Sequence, residues 1–464
     1  NEKKDFLFQE RIVKELLESN YFREGPLYEG DNRFSILFNE NQERFDISKH
    51  KLMNEKWSLN SSSKMSMSQQ GLSILNKSNE NYKDTLKNPK TIPPSDYFTL
   101  EKKKFSTSYF ENYDVYDAIN FAIKTEHGLS SDDRTYYYDP FYKKFHPIYW
   151  DGMSYLLDGY NYNFGNFTEY KQLITPSAKN GAANALNLLK NVDLELLEKN
   201  LKKKGLKLDN KNLKEIFSKI EKNILKIKSL DNENLVNIKL NENSDNEFNK
   251  SLELKIRNLR LIFYDDEFSN FLLCEYYANQ CIEKKLNNLE IAKMLNQKLK
   301  INQNDILFMG KNISKDKKIK WFHEHFDKIS LAKGRQLVKF DQAHFAVMGD
   351  VNYKVDEVQK TIIFEKKSKF GNVTFFKGKI DNWKIQFDNK DLRPYPGVDE
   401  NNLTGCLNFY DVEITDITLD LKNSNCEDSV NFVRSTGTIK DVKIFNSRFD
   451  SIDADFSNLI FPIF

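Results

Sequence analysis

Residues Glu126 to Gly152 read EHGLSSDDRTYYYDPFYKKFHPIYWDG, and this stretch decides the N-terminal fold. A polar loop leads into a short strand, Thr135 to Tyr138. A tight turn follows from Asp139 to Lys144, then a returning strand from Phe145 to Trp150, closed by Asp151-Gly152. The preceding segment, Asn112 to Lys124, carries Val115, Ile119 and Ala122 at helical spacing and is predicted as a helix. The hairpin sets Asp133 and Asp151 on neighbouring strand ends, within reach of one ion.

Phe6 to Gln9 reads as a short buried strand. Arg11 to Ser19 reads as a helix with Ile12, Leu16 and Leu17 on one face, broken by Ser19-Asn20 and Gly25-Pro26. Residues 30 to 105 are polar and poorly periodic. Thr175-Pro176-Ser177 starts a helix with an Ala182, Ala185, Leu186, Leu189 stripe. Further helices are predicted over Asp193 to Lys203, stopped by Gly205, and over Lys214 to Ile227. Asn232 to Asn249 is Asn- and Glu-rich and reads as a mobile insert. Phe268 to Lys285 reads as a buried helix, and Leu289 to Leu299 as another.

After Gly334 strands take over: Val338 to Val347, Thr361 to Glu365 and Val373 to Phe376 alternate apolar with polar. A repeat then emerges. Thr404 to Phe409 matches Glu427 to Phe432 and Ser451 to Phe456, with Phe409 and Phe432 spaced 23 residues apart and Phe432 and Phe456 spaced 24 apart. Ile380, Ile414 and Ile439 open a second matching set. Short strands at a period near two dozen residues predict a solenoid, here a right-handed parallel β-helix in which each coil covers the apolar ladder of the last. Asn423, Asn425, Asn446, Asp450, Asp453 and Asp455 are predicted at its corners. The Asp453/Asp455 pair reads either as turn residues or as a cation or sugar site.

The 464 residues suffice for more than one domain, and 39% apolar content with 36 Phe and 22 Tyr supports real cores. Seventy basic residues against 68 acidic ones leave a net charge of +2, so no global field favours nucleic acid. The Lys102–Lys104 and Lys202–Lys204 runs read as solvated faces. Cys274, Cys281, Cys406 and Cys426 form no CxxC pair, which argues against zinc. No apolar run of about 18 residues is present, so no membrane span is predicted. The opening Asn1-Glu2 and the apolar Ile460 to Phe464 read as ends cut from a longer chain.

Helix, polar loop, hairpin and strand-ending Asp is the order in which kinase-like folds assemble a phosphoryl-transfer site. Phe8-Gln9-Glu10, Lys14 to Asn20, Arg23-Glu24-Gly25-Pro26, His127-Gly128-Leu129, Asp133-Arg134, Tyr137 to Pro140 and Pro147 to Gly152 together resemble the CotH family of atypical, secreted or spore-coat kinases. The resemblance spans roughly residues 1 to 300. It implies an α+β kinase-like core over 1–175 with a truncated N-terminal lobe and a helical extension over 176–333. The parallel β-helix would follow over 334–464.

It also implies the chemistry: magnesium-dependent transfer of the ATP γ-phosphoryl to a protein Ser/Thr hydroxyl. Manganese is the alternative ion, and AMP transfer the alternative reaction. Phe8, Gln9 and Glu10 would face the nucleotide. Asp151 would hold magnesium with Asp133, with Asp132 as a neighbouring candidate. Where the family carries a catalytic Asp this chain has Gly128, so the proton acceptor falls to Glu126 or His127, or is lost. His127 reads equally as a buried histidine. Arg134 either holds the loop by pairing with Asp132 or grips phosphate bidentately. His323 and His325 are a weak metal pair. The implied partner is a protein substrate or cell-surface component, at the cell surface or outside the cytoplasm. The competing reading is a degenerate kinase-fold scaffold whose β-helix binds glycan or a surface protein.

Overall fold

Asp139 fixes the hairpin of the first sheet. Its Oδ1 accepts from the backbone N–H groups of Phe141 (2.9 Å) and Tyr142 (3.0 Å), and Lys143 completes the reversal with φ 54°. The computed structural model describes residues 14–31, 49–58, 112–123, 134–150, 176–206, 208–230 and 336–462. It also describes the backbone of 259–264, 271–275, 280–285 and 306–311, and isolated positions at 12, 125, 128, 174 and between 60 and 75.

In chain order the elements are α1 (Lys14–Ser19), β1 (Leu27–Asp31), β2 (Lys49–Leu52), α2 (Glu55–Ser58), α3 (Tyr113–Ile123), β3 (Thr135–Asp139) and β4 (Lys144–Ile148). Next come α4 (Pro176–Lys190), α5 (Leu194–Lys203), α6 (Asn210–Lys228), β5 (Leu259–Tyr264), β6 (Phe271–Glu275), β7 (Gln280–Lys284) and β8 (Ile306–Lys311). The remainder is β9 (Gln336–Phe340), β10 (Ala343–Asp356), β11 (Thr361–Asp381), β12 (Lys384–Asn389), β13 (Gly405–Lys422), β14 (Asp428–Val433), β15 (Thr436–Phe445), β16 (Asp450–Asp455) and β17 (Asn458–Ile460). They fall into two compact units. One is Asn1–Gly25, Ser61–Met67 and His325–Phe464; the other is Pro26–Asn60 and Ser68–Glu324.

In the second of these units, β2-β1-β3-β4 form an antiparallel sheet. Tyr28, Tyr136, Tyr138 and Phe145 are fully buried in it, with the Tyr138 and Phe145 rings 4.9 Å apart. Beside it, α3, α4 and α6 pack through Ala118, Ala122, Ala182, Ala185, Ile224 and Ile227. The alanine stripe lets helices approach closely. At Gly181 a Cβ would lie 2.0 Å from the Asp114 carbonyl oxygen, so only glycine fits the crossing. Asp193 caps α5 and Asp209 caps α6 through their side chains, the preferred N-cap chemistry. Gly205 ends the α5 segment with φ 84°. The helices predicted from 112, 176, 193 and 214 are therefore present.

The segment Phe268 to Lys285 is corrected. Phe271–Glu275 and Gln280–Lys284 are antiparallel strands in a sheet ordered β7-β6-β5-β8, with Cys274 directly opposite Cys281. Apolar runs of five residues fit a buried strand as well as a helix turn, so periodicity could not separate them. The predicted strand Phe6 to Gln9, the insert Asn232 to Asn249, the helix Leu289 to Leu299 and the pair His323/His325 lie outside the described residues.

The C-terminal unit is a large mixed β-sheet. β9, β10 and β11 pair antiparallel; from β11 onward every pairing is parallel. The parallel strands stack in three ladders. One joins Val373–Phe376, Leu407–Tyr410, Val430–Val433 and Ile452–Asp455. A second joins Thr361–Lys366, Lys384–Asn389, Thr418–Lys422 and Asp441–Phe445. A third joins Gly378–Asp381, Val412–Thr415, Thr436–Gly437 and Asn458–Leu459. Inside the first, Phe375, Phe409 and Phe432 stack nearly face to face, centroids 5.3 and 4.9 Å apart.

The register corrects the sequence alignment of the last segment. Ala454, not Phe456, lies opposite Phe432, and Val442, not Ile444, lies opposite Leu419. Both errors are two residues, a slip that keeps every side chain on its face and so escapes an apolar/polar pattern. Asn423 and Asn446 do turn with positive φ, 61° and 55°. Asp450, Asp453 and Asp455 instead belong to strand β16.

Candidate functional site

The residues between Thr125 and Arg134 connect α3 to the hairpin, and both ends of that connection are tied to α3. At the first end Thr125 donates its backbone N–H to the Asn120 carbonyl (3.1 Å) and its hydroxyl to Asn120 Oδ1 (2.7 Å). Asn120 is itself held by a bond from its Nδ2 to the Tyr116 carbonyl (2.8 Å). At the second end the Arg134 guanidinium pairs with Asp117 Oδ1 at 3.0 Å, the two side chains 1% and 0% exposed. The guanidinium carbon lies 5.2 Å from the Tyr113 ring centroid and 5.9 Å from that of Tyr116. Planar, weakly hydrated guanidinium suits burial between a carboxylate and aromatic faces.

α3 is fixed in turn. Asn223 of α6 donates to the Ala122 carbonyl (2.9 Å) at its C-terminal end, and the Ser177 hydroxyl of α4 bonds Asp114 near its start. Thr125 and Arg134 are thus both bonded to a helix that α4 and α6 hold in turn.

Of the residues the sequence nominates, Arg134 is engaged by the protein itself. It pairs with Asp117 of α3, while Asp132, the partner the sequence offers, lies outside the described residues. The Arg134 side chain is 1% exposed. Phe8, Gln9, Glu10, Glu126, His127, Asp132, Asp133 and Asp151 lie outside the described residues. Among the described residues no group of three His, Cys, Asp or Glu side chains is placed to hold a metal ion.

Gly128, the position where the CotH resemblance expects a catalytic Asp, has no room for one. A Cβ there would lie 2.8 Å from both Asn120 Oδ1 and Thr125 Oγ1, and both residues are buried and bonded to each other. Gly128→Asp is expected to lower stability by about 1–3 kcal/mol through overpacking, without creating activity. A urea titration beside an activity assay checks both; a stable, more active variant would contradict this.

His50 adds a pH dependence. It is buried with its ring 5.8 Å from that of Tyr136. Burial first, and the Arg134 charge second, lower its pKa from 6.5 to about 3. The folded state therefore refuses a proton that the unfolded chain binds below about 6.5. Stability of this unit is expected to fall as pH drops from 6.5 toward 3. Urea midpoints at about pH 7 and about pH 4.5, with His50→Gln showing a flatter dependence, check it.

A second cluster was not legible as such. Tyr21–Glu24 lies against the outer face of the first ladder. Arg23 donates to Asn431 Oδ1 (2.9 Å) and approaches Asp455 Oδ2 (3.3 Å). Arg434 donates to the Tyr21 carbonyl (3.1 Å) while gripping Asp411 bidentately at 2.7 and 3.1 Å. Asn402 donates to the Glu24 carbonyl (2.8 Å). Asn408 and Asn431, which alternate with inward residues, are fully buried on this covered face. Asp455 is thus paired with Arg23, and Asp453 accepts from Asn431 (3.1 Å). Burial, then Asp455, raises the Asp453 pKa, while burial lifts Asp428 to about 6. These contacts span some 400 residues of sequence, and no local pattern announces them.

Comparison with known proteins finds no family model, no curated protein and no solved structure that matches this chain.

Proposed function

We propose that this chain is a CotH-like kinase-fold phosphotransferase carrying a C-terminal parallel β-helix, moving the γ-phosphoryl group of ATP to a protein Ser/Thr hydroxyl. The observation that carries the reading is the double anchoring of the Thr125–Arg134 connection on α3, immediately before the hairpin that leads to Asp151. Phosphoryl transfer is mostly positioning and charge neutralisation, so a loop bearing carboxylates gains from fixed ends. Asp133 and Asp151 would hold magnesium, since carboxylate oxygens are the donors this hard cation takes. Such an ion, when bound, would supply neutralisation of charge on the transferred group. Glu126 or His127 would accept the hydroxyl proton, and Phe8, Gln9 and Glu10 would face the nucleotide.

The three parallel ladders support the β-helix reading, with the Phe375–Phe409–Phe432 stack as its spine. The Cys406–Cys426 disulfide supports a place outside the cytoplasm, where such bonds persist. Among the described residues no helix is long and apolar enough to cross a membrane.

A second reading, the degenerate scaffold, is favoured by the closed packing at Gly128. Phosphate incorporation into a protein acceptor separates the two. Transfer by the full chain that Asp151→Ala abolishes supports the enzyme. Equal labelling in both leaves the scaffold.

A further inference from the structure

Lys366 is a lysine fully buried in the C-terminal unit, at the end of the β11–β12 ladder. Its Nζ lies 2.8 Å from Asn425 Oδ1, and 3.5 and 3.9 Å from the Sγ atoms of Cys426 and Cys406. The Tyr395 ring centroid is 5.8 Å away. The acid that acts on it is Asp391, whose carboxylate is itself bound to Arg393 at 2.9 and 3.1 Å from Nε. Burial lowers the lysine pKa from 10.5 to about 7, against the opposing pull of Asp391. A large part of the population near neutral pH is therefore the free amine, the nucleophilic form of lysine.

The amide it faces is oriented. Asn425 Nδ2 donates to the Arg393 carbonyl (2.7 Å) and the Lys369 carbonyl (3.4 Å), which leaves Oδ1 turned toward the amine. The backbone is held as well: Tyr395 N–H donates to the Asn425 carbonyl (2.7 Å), and Lys390 N–H donates to that of Lys366 (2.8 Å). A buried amine and a buried carboxamide are thus fixed in contact across 59 residues of sequence.

We propose that Lys366 and Asn425 form an intramolecular isopeptide cross-link. Nζ attacks Cγ of Asn425, and an Nζ–Cγ bond replaces the Cγ–Nδ2 bond. The proton lost from Nζ leaves with Nδ2 as ammonia. No electrons change hands and no co-reactant is needed. Fixing both groups in one fold supplies the effective concentration that amide exchange lacks in water. The product removes the cost of a buried ionisable amine and leaves a neutral amide. It would sit beside the Cys406–Cys426 disulfide, adding a tie from β11 to the segment after β13 that reductants cannot open.

Mass spectrometry of the purified full chain, denatured and fully reduced, tests this. The expected mass is below that of the sequence by one ammonia. After alkylation and trypsin, a branched peptide should join Lys366 to the segment carrying Asn425. Lys366→Met and Asn425→Ala should each restore the mass of their own unmodified sequence. A wild-type chain of full sequence mass, with the two peptides separate, overturns the proposal. So does ammonia loss without the branched peptide, since that would be local cyclisation of an asparagine.

Discussion

Asp117→Ala is expected to destabilise the unit holding the β3–β4 hairpin by about 3–5 kcal/mol, because it strips a buried guanidinium of its carboxylate. Arg134 and Asp117 are essentially inaccessible and 3.0 Å apart. The loss comes mainly from the charge left behind. Replacing both partners, as in Asp117→Leu with Arg134→Met, is therefore expected to cost less than either single change. Denaturant midpoints of the two singles and the double close the cycle. A single-variant loss below about 1 kcal/mol would show that water reaches the pair and that the loop has no second anchor.

Phe409→Ala is expected to cost the C-terminal unit about 3–5 kcal/mol. The ring is fully buried between Phe375 and Phe432, and strands on both sides close around it. Deleting it removes two stacking contacts and opens a cavity that parallel ladders cannot easily collapse. Phe409→Leu keeps most of the volume and should cost less, about 1–2 kcal/mol. Phe445→Ala is the control, because that ring is 56% exposed and its loss should stay within about 0.5 kcal/mol. Equal effects at Phe409 and Phe445 would contradict the stacked core.

Much of this was legible because it is local. The segment from Thr135 to Tyr138, with the Asp139-Pro140 turn after it, specifies a hairpin from neighbouring residues, and Ala182, Ala185 and Leu186 specify a helix face. The Phe409 and Phe432 match was also visible, since stacked strands repeat their inward residues. What failed is non-local or degenerate. A slip of two residues preserves alternation, so Phe456 was matched where Ala454 sits. Phe271–Glu275 is too short for period to tell strand from helix. Asp117 carries no signal of its own in the sequence; only the fold brings Arg134 to it. Arg23 read as part of an N-terminal motif, yet its partners Asn431 and Asp455 lie at the far end of the chain. The shortage of space at Gly128 likewise depends on the folded positions of Asn120 and Thr125.

The most direct measurement is calorimetric titration of the full chain with ATP in the presence and absence of magnesium, repeated on Asp151→Asn. A nucleotide site built around carboxylates predicts saturable binding that requires the ion and is lost in the variant. Absence of binding, or binding indifferent to both magnesium and Asp151, would contradict it.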